Sequence, residues 1–404
     1  MAFVRSGSAT SPACQTSTTE PLSGTAARSL AWARLVRARV PLTVIRNLLA
    51  SHGSAVAALA AGPNAWRAAG CPEDIRASLD RPDARMRADL DTDRAWLDVP
   101  GQRLIGIDEP DYPALLARSA SPPPALFVCG NADLLWFPQI AIVGSRNPSP
   151  GGADNARAFA HSFARAGLTV TSGLASGIDA QAHLGALAAG GDTIAVIGTG
   201  PDRYYPPGNR ALTERIASEG CLISEFPPGT PARRENFPRR NRIIAGLSLG
   251  TLVVEAAERS GALITARQAG EAGREVFAIP GSIHNPMARG CHRLIRQGAA
   301  LVENADEVIA ALAPLATQLA DSLRARLAEP GLATAATGNR QHPERLPDDP
   351  DYHRLWHALG FDPVPLDTLA ERTGLTADAL SSMLLIMELE GLVGVEHSRY
   401  VRRG

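Results

Sequence analysis

The chain contains no lysine: all 40 of its basic residues are arginine. That absence removes every mechanism that needs an amine, from Schiff-base chemistry to the phosphate-loop lysine and the kinase lysine that pairs with phosphates. Cysteine is scarce too. The five are Cys14, Cys71, Cys129, Cys221 and Cys291. Their odd number and the lack of a Cys-x-x-Cys pair exclude a zinc knuckle or disulfide scaffold and fit a reducing compartment. No stretch approaches the roughly 18 apolar residues of a membrane span. Residues 1–27 are rich in Ser, Thr and Ala but lack a basic start followed by an apolar stretch, so they read as a disordered tail, not a signal peptide. A cytoplasmic location is expected, with neither metal nor cofactor implied.

What is present describes a folded chain. Its 404 residues, 45% hydrophobic and 20% charged, allow two to four domains with substantial cores. The net charge of −1 predicts no nucleic-acid partner by itself. It is a cancellation, however. Residues 138–305 hold 17 arginines and 13 acids, whereas residues 306–404 hold 9 and 15.

From Leu30 to Ala61 apolar residues fall at helical spacing, broken at Pro41, Ser51-His52-Gly53 and Gly62-Pro63. Residues 28–100 are therefore expected to form a small helical domain of the SAM-like or helix-hairpin-helix-like kind. A strand at Leu104–Ile107, the Pro122-Pro123-Pro124 connector and a short run at Ala125–Cys129 suggest a packed linker. From Gln139 onward, short β-rich runs alternate with Ala-rich helical segments, which specifies a parallel sheet with helices on both faces. The expected architecture is α/β: an extended Rossmann-like, doubly wound, mainly parallel sheet over 101–310. A linker over 311–350, richest in Pro, Gly, Ala and Asp beyond 329, follows it. Residues 351–404 then read as helix, turn at Gly374, helix and β-wing, a winged-helix domain.

Ligands of open α/β sheets bind at the carboxyl ends of strands, where backbone N–H groups and helix N-termini favour anions. The first strand ends in Gly144-Ser145-Arg146, followed by Asn147 to Gly152 and a helix. Its spacing does not fit the dinucleotide fingerprint, and Arg146, the only charge in the loop, suits bidentate contact with a phosphate. The second loop, Ser172-Gly173 through Ser176-Gly177-Ile178-Asp179, brings two more glycines to a neighbouring strand end. Asp179 is expected to cap its helix, and His183 to be a packing histidine. The third feature, residues 233–242, carries five arginines and one glutamate, with Phe237 and nearby Phe226 as aromatic surfaces. Basic charge interleaved with aromatics is what single-stranded nucleic acid requires. The fourth is Glu255 through Arg267, with Ser260 and Gly261 at a helix start. Glu255 is read either as a general base or, preferably, as the carboxylate orienting Arg242. A last loop runs from Gly281 to Gly290.

In order, six segments over about residues 104–305 resemble the DprA/Smf family of DNA-processing proteins. They are Asp111-Tyr112-Pro113, Ile142–Arg146, Ser172-Gly173 through Asp179, Ser224-Glu225, Arg240 through Ser248, and Ser260-Gly261 through Pro280-Gly281. The resemblance implies a domain without catalytic activity that binds single-stranded DNA, forms a homodimer and helps load the RecA recombinase in natural transformation. It implies that Gly144, Ser145 and Arg146 hold a phosphate, that Gly173, Ser176 and Gly177 line the same pocket, and that Arg240, Asn241 and Arg242 flank it. Asp179, Phe237, Arg239, Glu255, Ser260, Gly261 and Gly281 would support the site.

Two departures qualify this. The family's N-terminal Gly-x-Gly hairpin is replaced by Arg39-Val40-Pro41-Leu42, so the helical module is expected to add little to binding. The recognition-helix segment Ala379–Glu390 is apolar and acidic, a poor major-groove reader. The wing near Arg399, Arg402 and Arg403, or a protein contact, is the expected use. Two other classes compete with this one. A nucleotide phosphoribohydrolase of the cytokinin-activating group would use Glu255 as base, but its Pro-Gly-Gly-x-Gly-Thr-x-x-Glu motif is replaced by Gly246 to Thr251 and three further residues before Glu255. A transcription factor would act through the winged helix alone.

Overall fold

The computed structural model describes residues 24–327, 350–359, 364–376, 380, 383, 384, 387, 393–396 and 399–402. Two compact units divide between Leu327 and Ala328. Residues 1–23 of the tail expected over 1–27, the linker beyond 327, much of the recognition-helix segment and Arg403 lie outside the described residues, whereas residues 24–27, expected in the tail, form the first turn of a helix.

Six helices open the first unit: α1 (Gly24–Arg37), α2 (Leu42–His52), α3 (Ala55–Ala60), α4 (Gly62–Ala68), α5 (Glu73–Asp80) and α6 (Ala84–Leu97). The expected breaks hold, since Pro41 precedes α2 and Gly53 ends it in the left-handed conformation. Ser54 and Asp83 accept the N–H groups of Ala57 and Met86 as N-caps of α3 and α6. Helices α5 and α6 lie in the highly charged stretch 73–98, inside the helical domain expected over 28–100. Their buried face runs Leu79, Met86, Asp93 and Trp96, so a charge stands where periodicity calls for an apolar residue. Asp93 is tolerated there because Arg37 of α1 bonds both its oxygens, at 2.8 and 2.5 Å, and also donates to Pro228 O at 2.8 Å.

The sheet follows. Its strands are β1 (Gln102–Gly106), β2 (Ala125–Gly130), β3 (Gln139–Val143), β4 (Thr169–Ser172), β5 (Thr193–Val196), β6 (Cys221–Ser224), β7 (Gly250–Val253), β8 (Glu275–Ala278) and β9 (Ala300–Leu301). They lie in the order β1-β2-β6-β5-β4-β3-β7-β8-β9. From β6 to β9 every pairing is parallel, as expected. The strand expected at Leu104–Ile107 is β1, and the span read as a packed linker belongs to the sheet, which β1 and β2 extend as antiparallel strands. Its prolines precede β2, where no ladder N–H is needed. Tyr112 fixes that turn by donating its hydroxyl to Pro123 O at 2.7 Å. On the other side, β1 and β2 contribute Leu104, Ala125 and Phe127 to the core of the helical segment.

The connecting helices are α7 (Ala114–Ala117), α8 (Pro150–Arg165), α9 (Ile178–Ala188), α10 (Arg210–Glu219), α11 (Asn236–Leu247), α12 (Gly261–Glu271), α13 (Arg289–Arg296) and α14 (Ala305–Leu327). Strand alternation sorts them into two layers. Ile140 and Ile142 face α8, α9 and α14 through Phe159, Phe163, Ile178 and Leu312, while Ala141 and Val143 face α11, α12 and α13 through Ile243, Ala266 and Leu294. The linker expected from 311 starts too early, because α14 continues to Leu327. No described helix is long and apolar enough to cross a membrane.

The second unit contains α15 (Pro350–Leu359), β10 (Val364–Pro365), α16 (Leu366–Thr373), β11 (Val393–Glu396) and β12 (Arg399–Arg402), with strand order β10-β12-β11. Gly374 caps α16 in the left-handed conformation. Leu380, Met383, Leu384 and Met387 are buried with Leu355 and Leu369, which accounts for the apolar character of the recognition-helix segment. Arg399 and Arg402 fall on β12, the wing strand.

His183 on α9 is a packing residue, fully buried, as expected. Thr193 commits its proton to Val170 O at 2.7 Å, so His183 Nδ1 donates to Thr193 Oγ1, also at 2.7 Å. Burial, and then the nearby Arg240 charge, hold the imidazole pKa down to about 3. The unfolded chain takes up this proton below about pH 6.5 and the folded one only far lower, so stability falls as pH falls through that window. From pH 7.5 to pH 5, wild type should lose about 2 kcal/mol that a His183→Asn variant does not, read as the difference between their urea-denaturation curves.

Candidate nucleic-acid interface

Strand β3 leads to β4, β5 and β6 on one side, and β7, β8 and β9 lie on the other. The order therefore reverses between β3 and β7, which makes their carboxyl ends the topological switch point where open α/β sheets bind ligands. A cavity of about 780 Å³ opens there, lined by Gly144, Ser145, Arg146 and Asn147 after β3, Asp179 of α9, Phe237, Arg240 and Asn241 of α11, and Arg259, Ser260 and Gly261 at the start of α12. Gly173 and Ser176 line a smaller hollow beside it, which shares Arg146, Phe237 and Arg240.

The β3 loop is pinned on both sides. Ser145 N–H donates to Glu255 O at 2.7 Å, and Ile178 N–H donates to Ser145 O at 3.0 Å. The second bond requires Gly177, which has φ 82° and passes so close that a Cβ would stand 2.4 Å from Ser145 O. This fixes the Arg146 backbone while leaving its side chain in solvent. The Arg146 guanidinium rests 5.7 Å over the Phe237 ring and has no ion-pair partner among the described residues.

The N-terminus of α8 is not available to an anion. Glu255 fills it: its carboxylate accepts from Ser149 N–H at 2.8 Å, Ser149 Oγ at 2.6 Å and Asn285 Nδ2 at 3.1 Å. The expectation that Glu255 orients Arg242 is therefore corrected. With its oxygens engaged by three donors, Glu255 is also unsuited to the base of a phosphoribohydrolase. It ties the β3 loop to the β7 end. Glu255→Gln places an N–H₂ against donors, and should cost roughly 1–3 kcal/mol in urea unfolding.

Arg240 is buried. Its guanidinium donates to Gly173 O at 2.5 Å and to Val196 O, joining the ends of β4 and β5. Gly173 leaves the room, since a Cβ there would stand 2.5 Å from the guanidinium. Burial lowers the Arg240 pKa to about 10 and Asp179 opposes that shift, so the group stays charged at neutral pH. Asp179 does not cap α9 as expected, since the N-cap is Gly177. It reaches back to the loop, accepting Ala175 N–H at 3.4 Å, and faces Arg240. Burial raises its pKa, with Arg240 acting against the rise.

Arg242 does not flank the cavity. It pairs with Glu225 and donates to Ser121 O. Arg239 reaches the same carboxylate at 3.1 Å and covers Phe226 at 5.6 Å. The Glu225 side chain is 1% exposed. It engages two of the five arginines of 233–242, Arg239 and Arg242, and offsets one unit of their charge. Gly281 is also not at the cavity; it is hydrogen-bonded to His292. Asn241 Nδ2 donates to Gly261 O at 3.4 Å, and Ser260 N-caps α12. Arg234, Arg259 and Tyr205 line the cavity without having been singled out. Arg259 stood in a strand-end segment, and Tyr205 in Tyr204-Tyr205-Pro206-Pro207, where aromatics beside a turn were the available signal.

Fold and cavity together define a class: a doubly wound α/β protein with an arginine-lined cavity at its switch point, joined to a winged helix. Residues 103–313 match the DNA recombination-mediator protein A family and residues 339–396 the DprA winged helix domain. The chain is 41% identical over 317 residues to Protein Smf of Escherichia coli K12, covering 78% of this chain and 81% of that protein. It is 48% identical over 199 residues to DNA processing protein DprA of Streptococcus pneumoniae, covering 49% and 70%. The X-ray structure of the pneumococcal protein superposes with a TM-score of 0.61 at 37% identity, covering 69% of this chain and 97% of that one. The chain belongs to the DprA/Smf family, which acts in DNA processing and recombination.

Proposed function

We propose that the switch-point cavity binds single-stranded DNA, and that the protein acts without chemistry as a homodimer that passes the strand to the RecA recombinase. The observation that carries the DNA reading is Arg146: an exposed guanidinium, free of any ion pair among the described residues, seated on an aromatic face at the mouth of the cavity. A phosphate engages the guanidinium, while an unstacked base engages Phe237. Exposed Arg234 and Arg259 on the rim supply further phosphate contacts. A duplex keeps its bases stacked inside, so it offers Phe237 nothing to stack on. Membership of a recombination-mediator family supports the RecA part of the reading.

The test compares a labelled oligo-dT with a duplex of equal length by fluorescence anisotropy across a salt series. Tighter binding of the single strand is expected, with the logarithm of affinity falling by about 0.7 per decade of salt for each phosphate contacted. Equal affinity for both would overturn the reading.

A further inference from the structure

Two of the chain's five tyrosines are adjacent and exposed, Tyr204 at 45% and Tyr205 at 40%, and Tyr205 lines the cavity. An exposed tyrosine needs no partner in itself. This pair is set apart by what continues it at either end. The Tyr205 ring lies 5.2 Å from that of Phe237, tilted by 38°, and Phe237 carries the Arg146 guanidinium at 5.7 Å. At the other end the Arg210 guanidinium lies 5.0 Å over Tyr204. Two contacting groups, Arg210 with Tyr204 and Tyr205 with Phe237 and Arg146, are thus joined through the peptide bond between the two tyrosines, which gives an order from α10 to the β3 loop of Arg210, Tyr204, Tyr205, Phe237, Arg146.

The segment that carries the tyrosines, between β5 and α10, is tied at several points. Asn209 Nδ2 donates to Leu174 O at 3.0 Å, Gly200 N–H to Thr230 O at 2.9 Å, and Gly229 N–H to Asp202 Oδ1 at 2.8 Å. These bonds anchor the segment to the β4 loop and to residues 229–230, so the rings are presented from a held backbone. Leaving two large rings in water gives up burial that each would otherwise gain. Three exposed or half-exposed rings beside a free arginine match the chemistry of a stacking platform for single-stranded nucleic acid, in which every base offers a π-face whatever its identity.

Resting on the reading of the cavity as a single-stranded DNA site, we propose that this row extends it: Arg146 takes a phosphate, Phe237 the base beside it, and Tyr205 and then Tyr204 the bases that follow. The strand leaves the cavity over the β5–α10 segment. Arg210, already bonded to Glu214 at 2.8 Å, orients the Tyr204 ring. Because stacking is indifferent to base identity, the row adds affinity with length and no sequence preference.

The experiment measures thymidine dinucleotide and octanucleotide affinities for wild type, Tyr204→Leu, Tyr205→Leu, the double variant and the matching Tyr→Phe variants. A 2-aminopurine placed at successive positions of the octanucleotide reports stacking through its quenching. Leucine keeps the apolar bulk at two solvent-facing positions, and circular dichroism checks the fold. Each ring lost should weaken the octanucleotide about tenfold, the dinucleotide far less, and abolish quenching at one position, while phenylalanine restores both. Wild-type octanucleotide affinity and undiminished quenching in the double variant would overturn the row. Arg146→Ala separates the two ideas: if it binds both lengths like wild type, the cavity reading itself fails, and the row fails with it.

Discussion

Arg146→Ala should weaken binding of oligo-dT by roughly 10- to 100-fold at about 0.1 M salt, the scale of one lost charge-assisted phosphate contact, and reduce the salt slope by about 0.7. The loss should be alike for every base composition, because a phosphate carries no sequence information. The substitution is clean structurally. The Arg146 side chain makes no ion pair among the described residues, and the loop is held by the backbone bonds of Ser145 and Ile178, so the thermal midpoint should hardly move. Phe237→Ala should cost a similar factor, on the order of 1–3 kcal/mol for one stacked base, but leave the salt slope unchanged. Since the two side chains touch, the double variant should lose less than the two single losses combined. Anisotropy titrations at three salt concentrations decide it. An unaltered slope in Arg146→Ala would show that its guanidinium meets no phosphate.

Arg240→Met should instead destabilise the first unit by about 3–5 kcal/mol, the cost of stranding a buried charge, with a thermal midpoint lower by roughly 10 °C. Arg240 satisfies two carbonyls, Gly173 O and Val196 O, and faces the buried Asp179 carboxylate. Methionine fills much of the volume but leaves all three without their cation. Adding Asp179→Leu should recover part of the loss, because removing both members of a buried pair avoids an uncompensated charge. Calorimetry and urea unfolding of the single and double variants measure this. No difference between wild type and Arg240→Met would mean that the pair adds nothing to the junction of β4 and β5. The two arginines contrast: Arg146 faces solvent without an ion pair among the described residues, whereas Arg240 holds the floor of the cavity together.

The limits of what could be read beforehand follow from particular residues. The alternation of short β-branched runs with Ala-rich segments is a local property, set by side-chain period and propensity, and it led to the parallel sheet and to glycine-bearing loops at the strand ends. The absence of lysine determined that any phosphate contact falls to arginine, hydroxyls and backbone amides. Both conclusions needed no tertiary contact. Within the helical domain expected over 28–100, α6 was not placed because Asp93 interrupts its apolar face, and the residue that makes this tolerable, Arg37, lies 56 positions away. The strand at Leu104–Ile107 was legible, but prolines masked its place in the sheet, which only the pairing of β1 with β2 and of β2 with β6 shows.

The arginines of 233–242 show the same division most sharply. In sequence they are equivalent charges in a basic run, with a local excess of +4. Folding makes them different. Arg239 and Arg242 turn to Glu225, Arg240 goes under the floor to Asp179, and Arg234 stays on the rim. Likewise Glu255, assigned from sequence to Arg242, is claimed by Ser149 and Asn285. The sequence alone determined the kind of group available to meet a phosphate and the strand ends at which it would be found. Which guanidiniums remain unpaired was decided by tertiary structure, because a buried cation must take whichever carboxylate or carbonyl the packing brings within reach, and that partner is distant in sequence.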